Sequence, residues 1–450
     1  LQQKNHKKHT AMTTEKETTV DNYFAAIDLG SSKITGVVAQ KTDGGKITIV
    51  ACEQTESRSI RHGEVKNLQD TAFRINDIVK KLENHKVLRD NKIEIKKVYV
   101  GLGGHTIKTQ TNNVKRILGD EEVTEAIINE MLSESWKIRL ENSETYEVIE
   151  QEFLVDGMLE FNPVGMTCDS VQGSYKIIHG KPELKRNLLR SFEKANQLEV
   201  AGMFMSPVAI AEAALTETDK EMGCALIDFG ADTTSICVYY NGYLRHVATI
   251  PFGGNSVTND IKDLHVTQDI AEKLKIRFGN AMASLETKKQ SIVIPEQDGK
   301  TISTTVLASI IEARMEEILD FVWKEIEKSR VASKLGSGIV ITGGASKLTN
   351  LDELIRFKTG CNVRYANHEK HIDAESKFDE DINSLVIGLL LLANETCAIT
   401  KEEEIVDTDE ISEGEKKKEK KRKKLDITPI TNFFGNLFDL AETDAENEKM

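Results

Sequence analysis

Apolar and polar positions along this chain alternate between two rhythms, short buried runs that read as strands and longer stretches of three-and-four spacing that read as helices. FAAIDLGSSKITGVVAQKTDGG (24–45) and CALIDFGADTTSICVYYNGY (224–243) share one plan. Each is an apolar strand, then Asp, one residue, Gly, a few small polar residues and a second apolar strand. Asp28 and Gly30 stand 200 residues before Asp228 and Gly230, which predicts a duplicated domain with a cleft between its halves. A third segment, GIVITGGASKLTNLDELI (338–355), predicts a buried strand ending in Gly-Gly and then a helix, with Thr349 and Asp352 at capping-box spacing. Helices are predicted over 70–83, 183–198, 207–218 and 304–329, and over 266–279 with Ile270, Leu274 and Phe278 on its core face. Alternating strands and helices predict α/β domains with mixed sheets.

This texture begins at Tyr23 and fades near Ala398, and its length suits two to four subdomains. The longest apolar run, Leu385 to Ala393, is half of what a bilayer-spanning helix needs, so an integral membrane protein is not expected. With 59 basic and 73 acidic residues the net charge is −14, which argues against nucleic-acid binding by the body. Six scattered cysteines without a CxxC pair predict reduced thiols rather than a zinc cage or disulfide framework. Residues 1–22 have no apolar stretch, so disorder and no secretory signal are expected there, with Leu1 or Met12 as the start.

The paired hairpins suggest phosphate chemistry. Glycine lets backbone N–H groups approach phosphate oxygens with no Cβ in the way. Ser31, Ser32, Thr233 and Thr234 add donors without bulk, and Lys33 is placed to meet a β- or γ-phosphate. Asp28 and Asp228, one per wall, suit Mg²⁺ held through its waters, since Mg²⁺ dehydrates reluctantly, and can orient an attacking water. Glu272 and Lys275 lie three apart on one helix face, where they reach an adenosine ribose or simply pair with each other. HEKH (368–371) and GLGG (101–104) read as a polar loop and a turn, and no GxxxxGK[ST] is present.

Past the body, 399–415 is acidic and low in apolar residues, and KKKEKKRKK (416–424) carries eight positive charges in nine residues. Ile430, Phe433, Phe434, Leu437 and Phe438 then keep the spacing of one helix face after Pro429. Spacing alone allows docking on a protein groove or on a membrane. The basic run favours anionic lipid, while Asn432, Asn436 and Asp439 leave the polar face without lysine. A tether of 25 residues reaches about 25–30 Å as a flexible coil.

This order of motifs resembles the actin, heat-shock chaperone and sugar kinase superfamily. IDLGSSK is similar to its first phosphate loop, IDFGADTT to its second, Glu272/Lys275 to its adenosine-contacting helix, and TGGAS (342–346) to its nucleotide-base loop. Within it, HGEVKNL (62–68), FLVDG with FNPVGMTCDSVQGSYKIIHG (153–180), the stretch from Met222 to Ile261 with its GGN, and the basic-plus-amphipathic tail resemble the FtsA family of bacterial cell-division proteins. The resemblance implies an α/β fold of actin-like duplicated ATPase domains around a nucleotide cleft, with an FtsA-type insert subdomain. It implies ATP and Mg²⁺ as ligands, held by Gly30, Ser31, Ser32, Lys33, Gly230, Ala231, Asp232, Thr233, Gly254, Asn255, Glu272, Lys275 and Gly343, Gly344, Ala345, Ser346.

As divided on that resemblance, 23–92 with 176–203 and 370–398 forms the first actin-like domain, 93–175 the insert, and 204–262 with 336–369 the second domain core. An outer subdomain spans 263–335, a linker 399–424 and a membrane-targeting helix with an acidic end 425–450. The implied function is a peripheral protein on the cytoplasmic face of the membrane at the septum. It would polymerise with itself, tether the FtsZ ring through the FtsZ tail with Arg314 as the contact, bind anionic lipids and recruit later divisome proteins. Where relatives on this fold place Gln or Glu to position the hydrolytic water, MSPVAIAEAAL offers Ser206, which predicts slow or negligible hydrolysis. The alternatives on the same fold are a small-molecule kinase, a chaperone ATPase and a pilus-assembly ATPase. The kinase and chaperone readings lack their signature segments, and the NPVGM segment and the tail favour FtsA over the pilus protein.

Overall fold

The computed structural model describes residues 23–42, 45–195, 198–286, 290–297, 299–373, 376, 382–394 and 396–400. The expected disorder of 1–22, the linker beyond residue 400 and the terminal helix at 425–450 lie outside the described residues.

The chain opens as an antiparallel meander of β1 (Tyr23–Leu29), β2 (Lys33–Lys41) and β3 (Ile47–Glu56). Strand β1 is buried over its first five residues, as expected of a strand covered on both faces. The chain crosses through α1 (Leu68–Glu83) to β4 (Lys97–Leu102), which runs parallel to β1. Helix α1 starts where Asn67 accepts hydrogen bonds from the N–H groups of Gln69 and Asp70, and it buries Ala72, Ile75, Ile78 and Leu82 at helical spacing.

A separate four-stranded antiparallel sheet comes next, made of β5 (Lys108–Glu122), β6 (Glu144–Val155), β7 (Met158–Glu160) and β8 (Thr167–Gly180) in the order β7-β6-β8-β5. Helix α2 (Glu125–Trp136) packs on it around a small core of its own that includes Met131, Phe153, Val171 and Tyr175. The chain returns through α3 (Pro182–Glu193) to β9 (Glu199–Met205), parallel to β4, which completes the first sheet as β9-β4-β1-β2-β3.

Helices α4 (Ser206–Ala214) and α5 (Glu217–Met222) lead into a second sheet. Its meander is β10 (Cys224–Phe229), β11 (Thr234–Tyr240) and β12 (Tyr243–Ile250). Next come α6 (Gly254–Ile261), α7 (Gln268–Phe278), the hairpin β13 (Ser291–Ile294) and β14 (Lys300–Ser303), and the long α8 (Thr304–Lys328). Strand β15 (Ile339–Thr342), helix α9 (Leu351–Thr359), strand β16 (Val363–Tyr365) and helix α10 (Ser384–Leu392) complete the described body. The second sheet has the order β12-β11-β10-β15-β16, the same three antiparallel and two parallel strands as the first. Asp28 pairs with Thr35 and Asp228 with Ser235, so the duplication read from sequence places both aspartates at the same register.

The halves meet where α4 crosses α10. A Cβ on Gly388 would sit 1.8 Å from the Ala209 carbonyl oxygen, so the two backbones are in contact there.

Several local expectations change. Asn350, in the left-handed conformation at φ 59°, is the N-cap of α9 and makes no side-chain cap, so Thr349 and Asp352 form no capping box. The helix expected over 207–218 breaks at the extended Leu215, and Thr216 restarts the chain as α5 through a reciprocal capping box with Asp219. Phe278 is 39% exposed, and α7 buries Ala271 and Lys275 beside Ile270 and Leu274. Strand β4 and the short strand Ile93–Ile95 fall inside the span 93–175. Yet β4 belongs to the first sheet, Ile93–Ile95 pairs with Ala398–Thr400, and the separate sheet runs 108–180.

Candidate functional site

Both Asp-x-Gly hairpins end their first strand at the same cleft. Burial lifts the Asp28 carboxyl to about 6, against the opposing pull of the Asn383 amide and the Lys33 charge. Asp228 is lifted to about 7, first by burial and then by the charge of Asp28 across the cleft. Asn383 donates to Asp28 Oδ2 at 2.7 Å while its own Oδ1 caps α10 at the Val386 N–H, so the start of α10 fixes the Asp28 rotamer. Two carboxylates that repel each other at the floor of a cleft fit a divalent cation, which supplies the missing countercharge. Among the described residues no group of three His, Cys, Asp or Glu could hold a metal.

The second hairpin is locked onto the start of α6. Gly254 N–H donates to the Gly230 carbonyl at 2.9 Å and Asn255 N–H to the Ala231 carbonyl at 2.7 Å. A Cβ on Gly253 would fall 2.6 Å from the Gly230 carbonyl oxygen, so this approach needs glycine. Thr233 closes the turn by accepting from Gly230 N–H, and Thr234 Oγ1 donates to the Phe252 carbonyl.

Asp232, expected to face phosphate, is held within the protein. Its Oδ1 accepts from Asn255 Nδ2 at 2.7 Å and its Oδ2 from the His62 N–H at 3.2 Å. The His62 ring, through Nδ1, lies 3.1 Å from the Asp232 carbonyl oxygen. His62 belongs to the first half, so this loop spans the cleft. Neighbouring Gly63, at φ 74°, packs on Gly104, where a Cβ would meet the Gly104 Cα at 2.8 Å. In the first hairpin Ser31 Oγ accepts from the Gly63 N–H at 3.4 Å, the Ser32 carbonyl accepts from Ser57 N–H, and Lys33 Nζ donates to Gln54 at 2.9 Å.

The GLGG segment is more than a turn. Gly101 lies in β4, and a Cβ there would sit 2.6 Å from Ser206 Oγ, so the glycines admit Ser206 at the start of α4. Opposite, Gly343 at φ 93° presses on the second hairpin, with its would-be Cβ 2.4 Å from the Phe229 carbonyl oxygen and 2.5 Å from Asp228 Oδ1. Ser346 Oγ donates to the Gly343 carbonyl, Ala345 is buried against Gly254, and Gly344 faces open space.

Lys275 is buried, and its Nζ donates to the Gly254 carbonyl at 3.0 Å, to Thr258 Oγ1 at 2.9 Å and pairs with Glu272 at 2.8 Å. It therefore ties α7 to the GGN turn, leaving the partly exposed Glu272 as the member of the pair that can meet a ligand. Arg314 is held by Asp260 on α6 and by Glu317 one turn along α8. His368 to His371 form a polar turn.

Two residues of this site were missed in the sequence. Asn383 stood just before the apolar run of α10, an N-cap position that could have drawn attention. The tie from His62 to Asp232 joins residues 170 apart and left no local signal.

The comparisons agree with this geometry. A family model described as cell division protein FtsA matches residues 225–387, and one described as the SHS2 domain inserted in FTSA matches 104–179. The cell division protein FtsA of Neisseria meningitidis serogroup B is 32% identical over 338 residues, covering 74% of this chain and 80% of its own length. That of Escherichia coli K12 is 29% identical over 383 residues, covering 82% and 90%. Among solved structures, the PilM-PilN type IV pilus biogenesis complex superposes with TM-score 0.56 at 16% identity over 82% of this chain and 97% of that one, a likeness of fold alone. The two matched sheets around a cleft, with the inserted sheet, are the actin-like fold with an FtsA-type insert.

Proposed function

The chain belongs to the FtsA family of cell division proteins, and from that premise we propose that it is an ATP-binding, filament-forming adaptor that tethers the FtsZ ring to the cytoplasmic membrane and recruits later divisome proteins. The observation that carries the nucleotide part is the pair of aspartates at one register of two like sheets, each carboxyl lifted by burial and one by the charge of the other.

Asp28 and Asp228 would hold a Mg²⁺ ion, which would supply the countercharge that lets both carboxylates ionise. Backbone around Gly30 to Lys33 and Gly230 to Thr233 offers N–H groups to phosphate, with Gly254 and Asn255 packed on the same phosphate side, and Glu272 and Gly343 to Ser346 flank the nucleoside side. The Asn383 amide fixes the rotamer of Asp28, which would face the ion. Ser206 is short and wedged against Gly101 and Gly103, so it places an attacking water poorly and turnover is slow. ATP then acts as a structural ligand that joins the halves, and the assembled form is a filament of like chains.

Membrane attachment rests on the apolar face Ile430, Phe433, Phe434, Leu437 and Phe438 behind the basic run. One such helix binds weakly, and a filament multiplies it. No helix among the described residues is long and apolar enough to cross a membrane. The FtsZ tail meets the outer part of the second half, where an acidic group must share Arg314 with Asp260 and Glu317. The test is co-sedimentation with anionic vesicles and ATP, comparing the full chain with one ending before Leu425. Pelleting of the full chain alone is expected; if both stay in the supernatant, the membrane part of the proposal fails.

A further inference from the structure

Helix α10 is a fixed strut of the first half, and its start reaches both walls of the cleft. Leu385, Val386, Ile387, Leu389 and Leu390 are buried in the core it shares with β1, β2 and β4, so the helix is apolar all round and enclosed by protein. Its far end is held by β2, where Lys41 Nζ donates to the carbonyls of Leu391 and Ala393, and by β4, where the Tyr99 hydroxyl accepts from the Asn394 N–H at 3.0 Å.

The near end makes three polar contacts through two neighbouring residues. Asn383 caps the helix by accepting from the Val386 N–H at 3.0 Å, and with its Nδ2 it donates to Asp28 Oδ2 at 2.7 Å. Ser384, only 3% exposed, places its Oγ 2.9 Å from Thr342 Oγ1. His368 Nδ1 stands 3.5 Å from the same Oγ, at the long limit of a hydrogen bond, so the hydroxyl pair is the stronger contact. Thr342 ends β15 in the second half and is the register partner of Asp228. The next residue, Gly343, is the one that presses on Asp228 Oδ1. One rigid helix therefore holds the Asp28 carboxyl directly and the strand beside Asp228 through a buried hydroxyl pair.

A cation shared by two carboxylates depends on their separation and on how each is turned, and Mg²⁺ tolerates little departure from octahedral geometry. We propose that Asn383 and Ser384 are positioning residues of the cation site. Asn383 aims the Asp28 carboxyl, and the Ser384–Thr342 bond sets the second wall against the first. Each acts through another residue rather than on the ion itself. The proposal rests on the reading of Asp28 and Asp228 as a nucleotide-linked Mg²⁺ site and adds the residues that set its spacing.

The two jobs of Asn383 can be separated, because serine caps a helix as well as asparagine does but is too short to reach Asp28. Asn383→Ser keeps the cap and removes the donor, while Ser384→Ala and Thr342→Val remove the hydroxyl pair with little change of shape. The test measures the affinity of the full chain for a fluorescent ATP analogue in Mg²⁺ and in EDTA, with the melting temperature of the nucleotide-free protein alongside. Wild type should bind more tightly in Mg²⁺. Asn383→Ser should lose about tenfold in Mg²⁺, as for one hydrogen bond to a charged group, yet stay within about twofold in EDTA and melt near wild type. Ser384→Ala and Thr342→Val should each lose about three- to fivefold in Mg²⁺, and the double variant no more than either, since both remove one bond. Wild-type affinity in Asn383→Ser, losses of equal size with and without Mg²⁺, or single losses at Ser384 and Thr342 that multiply in the double variant would each overturn the proposal and leave the nucleotide reading standing. A wild type that binds no more tightly in Mg²⁺ than in EDTA removes that reading, and the proposal with it.

Discussion

Replacing Asp228 by Asn should stabilise the ligand-free protein, and by an amount that depends on pH in one direction only. Asp228 rises from 3.8 to about 7 in the fold because of burial and the Asp28 charge, and Asp28 rises to about 6. For a carboxyl lifted by folding, the favourable contribution is complete below the unfolded value and is lost as pH climbs through the folded one. Each pKa unit corresponds to about 1.4 kcal/mol, so the full Asp228 shift is worth about 4 kcal/mol. The cleft floor keeps some contact with solvent and the two acids share their shifts, so about 2–4 kcal/mol is the expected difference. Asn keeps the shape beside Gly343 and removes the charge. Urea unfolding of wild type and Asp228→Asn should then give nearly equal midpoints at pH 4 and a higher midpoint for the variant at pH 8, with the gap opening between pH 5 and 7. Mg²⁺ with ATP should narrow the gap by stabilising the wild type more than the variant. Equal midpoints across that range would show that neither burial nor the Asp28 charge raises the Asp228 carboxyl, and the cation-site argument would fall with them.

Three further substitutions probe other links of the structure. Gly388→Ala places a methyl 1.8 Å from the Ala209 carbonyl oxygen where α4 and α10 touch, and should lower stability by about 1–3 kcal/mol or more, read as a fall in melting temperature. Gly253→Ala pushes on the Gly230 and Ala231 carbonyls and should weaken binding of a fluorescent ATP analogue by about tenfold, about 1.4 kcal/mol, with a smaller change in melting temperature. Glu152→Ala leaves the largely buried Arg245 without its partner and should cost about 1–3 kcal/mol in denaturant unfolding, while an apolar pair at both positions should recover most of it.

The duplicated sheet was legible because its evidence is local and repeated. An apolar run, Asp, Gly and a second apolar run occur twice, and a buried strand leaves little else that such a pattern can be. The helices were legible through spacing, but their ends were decided by single residues. Leu215 is extended because Thr216 and Asp219 offer a better restart than continuation, and Asn350 replaces Thr349 at the start of α9 by taking a left-handed backbone. Residue roles were harder still. Lys275 and Asp232 have the types expected of ligand-binding groups, and each also bonds within the protein, to Gly254 and Thr258 for one and to Asn255 and His62 for the other. Pairings over 100 residues or more carry no sequence period, so no reading of spacing reaches them.

The insert shows what such long-range contacts do mechanically. Its strands are continuous in sequence with the first half, through β4 and α3, yet its side chains bond to β12 of the second half. Thr109 Oγ1 donates to the Val247 carbonyl at 2.6 Å and accepts from the Val247 N–H at 2.7 Å. Arg245 grips Glu152 with both guanidinium nitrogens, and Phe161 stacks on Tyr243 at 6.2 Å. Burial lifts the carboxyl of Glu147, on β6, to about 7. Contacts that join the halves include the α4–α10 crossing, the His62–Asp232 tie over the cleft and this seam. A rotation that opens the cleft about the α4–α10 crossing must break the His62 tie and either shear the seam or carry the insert with the second half. Because the seam holds a bidentate ion pair, two hydrogen bonds to backbone and an aromatic stack, while the cleft tie rests on hydrogen bonds from one residue, the cleft tie yields first.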